Sequence, residues 1–391
     1  MNSDRRFSRR GFVGGVATAL GYLTLEPRSR LWARNVPDVA PRIGGPADEY
    51  DGLAKLANNE NPYGPSDAVM KAMTQSFKYA NRYGYPDSVT EAIAKYHGVK
   101  EENVFIAAGS GEILDVACNT YLRGGRKILS SEPSYDVIFQ HVTAYKADTI
   151  KVPALPDFRQ DIPGLIKAAR AYSRDIGFIY VCSPNNPTGR IVTQQEIKQL
   201  LDGIPQDMPV LIDEAYFHFV EDPDYATSIP HAFEDRPVIV TRTFSKIAAL
   251  AGMRLGYAIA PKEMIRDMRP YATGTINAIV KYGGIAALND ADTQARVKRV
   301  TLELRKKTTA ELTNLGYTVV PSEANFFFVH LRRPVPPVID EFKKKGVLVG
   351  RPFPPFMEHL RVSVGTAEEM SRFLTAFKDV ISQASTASKI G

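Results

Sequence analysis

Lys246 is the residue of this 391-residue chain best placed to act as a nucleophile. It ends Thr243-Phe244-Ser245-Lys246, just past the apolar run Val238–Thr241, and is followed by Ile247, Ala248, Ala249, Leu250 and Ala251. Such surroundings desolvate an amine, lower its pKa and make it competent to attack a carbonyl. Asp213, in Asp213-Glu214-Ala215-Tyr216, follows a second apolar run, Val210–Ile212, and offers a carboxylate at the same kind of position. Ser183-Pro184-Asn185-Asn186-Pro187-Thr188-Gly189 follows a third, Ile176–Cys182. Two prolines bracketing two asparagines fix a loop more firmly than a turn requires, so one amide can be held toward a ligand. Gly109-Ser110-Gly111-Glu112 follows a fourth run, Asn103–Ala108, and opens a helix expected over Ile113–Leu122. A glycine there lets an anion approach the N–H groups of the helix start, where the dipole favours it. Arg254, eight residues after the lysine in Gly252-Met253-Arg254-Leu255-Gly256, adds a guanidinium. Taken singly, each has an ordinary reading as a solvated side chain or a turn. The glycine turn matches neither GxGxxG nor GxxxxGK[ST], so dinucleotide and P-loop readings fail.

What these stretches share is position: each lies just past a short apolar run. Continuous apolar strands, a further one at Lys127–Ser130, alternate with helical patterns such as Pro163–Tyr172 and Gln194–Leu201. That alternation predicts a mostly parallel α/β sheet covered on both faces, with its ligand beyond the carboxyl ends of the strands. After about residue 275 the pattern changes to one long helix over Asn277–Leu315, then short strands at Tyr317–Val320, Phe326–Val329, Val347–Val349 and Leu360–Val364. Helices are expected among them at Val338–Lys345 and Ala367–Ile381, the content of a smaller α+β domain. The expected organisation is a signal segment (1–33), an N-terminal arm (34–65), a large domain (66–275) and a small C-terminal domain (276–391).

Of the net charge of +6, +5 belongs to residues 1–35, which carry seven Arg against Asp4 and Glu26. The nearly neutral body argues against nucleic-acid binding. Cys118 and Cys182, 64 positions apart, and six scattered His give no metal spacing and no disulfide framework. Ser8-Arg9-Arg10-Gly11-Phe12-Val13 opens an uncharged stretch to Leu25, too short to span a bilayer and built like a secretion signal. The arginine pair resembles a twin-arginine export signal, which implies the Tat translocation machinery as partner and a periplasmic destination, or the cytoplasm if the leader goes unused.

Together, SPNNPTG, DEAY, TFSK and GMRLG in this order resemble the class I/II, fold type I aminotransferases that depend on pyridoxal 5′-phosphate, most closely the histidinol-phosphate aminotransferase branch. The likeness runs from Leu56-Ala57-Asn58-Asn59-Glu60-Asn61-Pro62 through Tyr85-Pro86-Asp87 to Leu360-Arg361-Val362-Ser363-Val364. It implies that Lys246 carries the cofactor as a Schiff base and moves the substrate proton, and that Asp213 pairs with the ring nitrogen. It further implies that Asn186 and Tyr216 bond the ring's 3-oxygen and that Tyr135 stacks on its face. Ser110, Gly111, Thr243, Ser245 and Arg254 would hold the phosphate, and Tyr85 would reach the phosphate of the neighbouring subunit in a homodimer. Arg361 would grip the substrate carboxylate, with Asn61 and Glu60 closing over the site. The implied activity is ping-pong transamination between an amino acid, or a histidinol-phosphate-like amine, and a 2-oxo acid.

The chain departs from the family pattern three times, once in carrying an export leader where the resemblance implies a cytoplasmic biosynthetic enzyme, and twice in its residues. Gly111 stands where relatives often carry an acid, and the arginine that helps read a substrate phosphate is displaced to Arg351, in Gly350-Arg351-Pro352-Phe353-Pro354-Pro355. Two alternatives use the same residues otherwise: a decarboxylase, cyclase or lyase relying on the same lysine, and a non-catalytic module that keeps only the fold.

Overall fold

The computed structural model describes residues 50–387. The leader, its twin-arginine motif and the first part of the arm lie outside the described residues. In chain order the strands are β1 (Ala54–Leu56), β2 (Val104–Ala107), β3 (Lys127–Glu132), β4 (Thr149–Pro153), β5 (Ile176–Cys182) and β6 (Val210–Asp213), then β7 (Val238–Thr243), β8 (Gly256–Ile259), β9 (Thr318–Val320), β10 (Phe326–His330), β11 (Val347–Val349) and β12 (His359–Ser363).

Among the described residues, one sheet has seven strands in the order β2-β8-β7-β6-β5-β3-β4. Its neighbours pair in parallel, except that β8 runs antiparallel to both β7 and β2. The fold is thus the mostly parallel α/β sheet that the sequence pattern predicts. Alternate residues of each central strand feed two different cores. Ile179, Val181, Val210, Ile212, Val238 and Val240 pack on one face, against Leu165, Ile197 and Leu200 of the helices Ile162–Ala171 and Gln194–Gly203. Phe178, Tyr180, Leu211 and Ile239 pack on the other, against Ile113 and Leu114 of the helix Ser110–Tyr121 and Met264 and Ile265 of Lys262–Met268. Both faces being dry is why these strands read as continuous apolar runs rather than alternating ones. Each buried Val, Ile or Phe contributes roughly 1.5–3 kcal/mol of transfer free energy.

A three-stranded antiparallel sheet, β12-β10-β9, carries the C-terminal core of Phe327, Val329, Leu360 and Val362 against Phe342, Phe373 and Phe377. β1 pairs in parallel with β11, Ala54 opposite Val347, so the end of the arm is stitched to the C-terminal part of the chain. From Leu53 onward the chain is one compact unit.

The long helix expected over Asn277–Leu315 is two: Ala278–Leu288 and Ala291–Asn314. The break falls at Asn289 and Asp290, and the Asp290 carboxylate accepts from the Thr293 N–H at 3.2 Å, capping the second helix. β8 has no counterpart in the sequence pattern; its four residues hide among the glycines around Arg254. β1 and β4 likewise have no counterpart there, and the remaining strands fall within two residues of their expected ends.

Candidate active site

Three strand ends and one helix start converge. β5, β6 and β7 end at Cys182, Asp213 and Thr243, and the loop from β7 to its antiparallel neighbour β8 carries both Lys246 and Arg254. Because Thr243 pairs with Gly256, that loop must return to the edge it left. The Thr243 hydroxyl accepts from the Ser245 N–H at 3.0 Å and donates to the Ser245 hydroxyl at 2.8 Å, which tightens the turn before the lysine. Arg254 adopts the left-handed region (φ 59°), rare and costly for a residue with a side chain. Its Nη1 donates to the Ala251 carbonyl at 2.9 Å and its Nη2 to the Ala108 carbonyl at 3.3 Å, which lays the guanidinium across the helix start. Two glycines make that possible. A Cβ on Gly109 (φ 83°) would sit 2.2 Å from Arg254 Nη2, and one on Gly256 would sit 2.5 Å from the Ser110 nitrogen.

The result is a cavity of about 380 Å³ beyond these strand ends. Ser110, Gly111, Thr243, Ser245 and Arg254 are among its lining, as are Tyr135, Asn186, Asp213, Tyr216, Lys246 and Arg361. The two asparagines of the Ser183–Gly189 loop divide their work. Asn185 donates to the Pro133 carbonyl at 3.1 Å and accepts from Ser134 at 3.0 Å, fixing the loop. Asn186 faces the cavity, accepting from Arg361 Nη1 at 2.7 Å.

Asp213 is 1% exposed. It accepts from the Tyr180 hydroxyl at 3.0 Å and from the Ala215 N–H at 3.1 Å, and no cation among the described residues bonds it. Burial outweighs those two donors and pushes its carboxyl up to about 6. Lys246 donates to the Asn58 carbonyl at 3.3 Å; burial, with the Arg361 charge assisting, brings its amine down to about 8. The Tyr216 hydroxyl accepts from Asn59 at 3.1 Å, and burial raises its phenol while Arg361 opposes the rise. Burial likewise raises Tyr135, to about 12. Arg361 is 7% exposed and bonds only neutral groups, Asn186 and the Ala57 carbonyl, among the described residues; its Nε has no partner there. Burial lowers it to about 10.

Two residues named from sequence lie elsewhere. The Asn61 amide donates to the Ile247 carbonyl at 2.9 Å, behind the lysine rather than on the cavity wall. Tyr85 sits outside the cavity of its own chain, its hydroxyl donating to the Ile276 carbonyl at 3.2 Å. Glu60 stays near enough to favour the charged form of Lys246. Conversely Asn58, Asn59, Asp136 and Arg351 line the cavity. Asn59 is in the left-handed region (φ 55°), which asparagine tolerates well, and its N–H donates to Ser363 at 2.7 Å. The doubled Asn58-Asn59 before Glu60 was the available signal, but only the fold shows which amide turns inward.

These residues fit pyridoxal phosphate. A buried carboxylate without a cation suits a protonated ring nitrogen, and a desolvated amine suits an aldehyde. The glycine-cleared helix start, with a guanidinium and three hydroxyls, suits a phosphate. Comparison with known proteins agrees. The aminotransferase class I and II family model matches residues 51–377. The histidinol-phosphate aminotransferase of Moorella thermoacetica is 33% identical, over 97% of this chain and 98% of that protein. A solved structure from Erwinia carotovora atroseptica is 31% identical with a TM-score of 0.81, covering 87% of this chain and 98% of that one. The fold is shared with the histidinol-phosphate aminotransferase of Sinorhizobium meliloti in complex with pyridoxal 5′-phosphate (24% identity, TM-score 0.79, covering 90% of this chain and 98% of that one). The chain belongs to the aminotransferase class I and II family and is a pyridoxal-phosphate-dependent aminotransferase.

Proposed function

We propose that the chain moves an amino group from an amino acid, or a histidinol-phosphate-like amine, to a 2-oxo acid in two half-reactions at this one cavity. The observation that carries the reading is the pairing of half-buried Lys246 and buried Asp213 on one cavity, both without an ionic partner among the described residues. When bound, pyridoxal phosphate supplies the electron sink that makes a Cα–H bond labile. The remaining work belongs to the chain. Ser110, Gly111, Thr243, Ser245 and Arg254 would hold the phosphate, Asp213 the ring nitrogen, and Asn186 and Tyr216 the 3-oxygen, with Tyr135 against the ring face. Lys246, brought down to about 8, has a deprotonated Nζ accessible near neutrality, so it can take a proton and return it. Arg361, already oriented by Asn186 and Ala57, is free to receive a substrate carboxylate.

The activity for which the relatives are named makes histidinol phosphate the first amine to test. Titrating the purified holoenzyme with this amine and with single amino acids should shift its absorption to the aminated form, and a 2-oxo acid should restore it. A spectrum that no amine moves would end the reading, and one that returns without added oxo acid would indicate bond cleavage other than transamination.

The resemblance also supports a homodimer in which Tyr85 serves the partner's site. Phe77 and Tyr83, on the same segment, are 62% and 98% exposed, which suits a surface to be covered. Sedimentation at micromolar concentration tests it. For the leader we propose export by the twin-arginine route; finding the holoprotein solely in the cytosolic fraction, leader intact, would count against it.

A further inference from the structure

The two arginines on the substrate side of the cavity are in opposite electrostatic states. Arg361 has neutral partners and an unbonded Nε among the described residues. Arg351 is engaged: its Nη2 lies 2.6 Å from Asp136 Oδ2, and its guanidinium stacks 4.1 Å from the centroid of Phe353. Arg361 lies over the same ring, at 4.6 Å. Asp136 is held in turn by Gln140, whose Nε2 donates to Oδ2 at 3.3 Å, and both residues line the cavity with Arg351. The cavity therefore offers one free guanidinium and a second that carries its own counter-ion.

We propose that Asp136 is a specificity-determining residue, one that sets how readily the enzyme accepts substrates bearing a second negative charge. The inference rests on the transaminase reading of this cavity. A substrate with a single carboxylate uses Arg361 and leaves the Arg351–Asp136 pair in place, its side chain lying against Phe353. A substrate with a distal carboxylate or phosphate reaches Arg351 only by displacing Asp136, and it must then lie beside that displaced carboxylate. Asp136 thus acts as a resident competitor for the distal anion. Because the pair is half-exposed, with Arg351 47% and Asp136 36% accessible, the competition is screened by salt.

The test uses the holoenzyme and two ligands without an amino group, so it does not depend on turnover: glutarate, with two carboxylates, and valerate, with one. Calorimetry on wild type and Asp136→Asn at low ionic strength should show glutarate binding about three- to tenfold tighter in the variant, relative to valerate. The gain should shrink in 0.5 M salt, on the order of a threefold shorter screening length than at low salt. It should vanish when Arg351→Gln is added, which separates relief of competition from general loosening of the loop. An unchanged glutarate-to-valerate ratio, a gain that survives Arg351→Gln, or no glutarate binding in either protein would each overturn the proposal. Failure of the transaminase reading would show separately, as a wild-type spectrum that no amine moves.

Discussion

Asp213 and Glu214 are neighbours in the chain, each 1% exposed, yet they face regions with opposite logic. Glu214 points away from the cavity. It accepts from Arg242 Nε at 3.0 Å and Nη2 at 2.7 Å, from Thr227 at 2.9 Å and from the Ser228 N–H at 2.6 Å. Arg242 is itself stacked 3.5 Å from the Phe217 ring centroid. Every strong demand of that charge is met inside the protein, so the pair fixes the ends of β6 and β7 and reacts with nothing. Asp213 receives only two hydrogen bonds and no cation among the described residues, and Lys246 and Arg361 are comparably undersupplied. Buried charges that are paired build structure; those left unpaired are reserved for a ligand that completes them.

The comparison can be broken at several points. The largest effect is expected for Lys246→Ala, which removes the only amine positioned among the described cavity residues. Single-turnover transamination should fall by about 10⁴-fold, the upper range for general acid–base catalysis, while the unfolding midpoint of the cofactor-free protein holds or rises. Glu214→Gln should do the reverse. Leaving Arg242 buried and unpaired destabilises by about 3–5 kcal/mol in urea unfolding, with activity per folded molecule retained.

Asp213→Asn sharpens the contrast. Loss of the carboxylate that faces the ring nitrogen should lower kcat by about 10²–10³-fold. In the cofactor-free protein the same change should relieve up to about 3 kcal/mol above pH 6, since each tenfold change in proton affinity is worth about 1.4 kcal/mol. The sign follows from proton binding. A carboxyl raised from 3.8 to about 6 holds its proton in the folded state while the unfolded state releases it, so wild-type stability declines as pH rises through that window. Lys246 acts oppositely. Lowered from 10.5 to about 8, it loses its proton first in the folded state, so stability climbs between those values. Thermal midpoints of wild type, Asp213→Asn and Lys246→Ala across pH would resolve both limbs. The smallest effect is expected for Asn59→Ala. Removing one donor to the Tyr216 hydroxyl should slow the half-reaction by about tenfold or less, near 1 kcal/mol, and stopped-flow absorbance would measure it.

Much of this was legible in the linear chain because the sheet's chemistry is punctuated. Val210–Ile212 stops at an acid and Val238–Thr241 runs into hydroxyls and a lysine, so polar residues stand out against strands that are mostly apolar. The anion cradle was half legible. Gly109 and Ser110 announced a helix start, but that Arg254 occupies the space a Cβ would fill depends on β8, a strand too short and glycine-bound to show a period. The helix break at Asn289-Asp290 carried an N-cap signal that the surrounding helical pattern masked. The roles of Asn59 and Asp136, and the partner of Arg351, were beyond reach for a different reason: Asn59 meets Tyr216 across 157 positions, and Arg351 meets Asp136 across more than 200. Only the packed fold decides such encounters.

The most direct measurement is borohydride reduction of the purified holoprotein followed by peptide mass mapping. The expected result is a single pyridoxyl adduct on the peptide containing Lys246, absent from Lys246→Ala. An adduct on another lysine, or none on a protein that retains its fold, would contradict the assignment of this cavity.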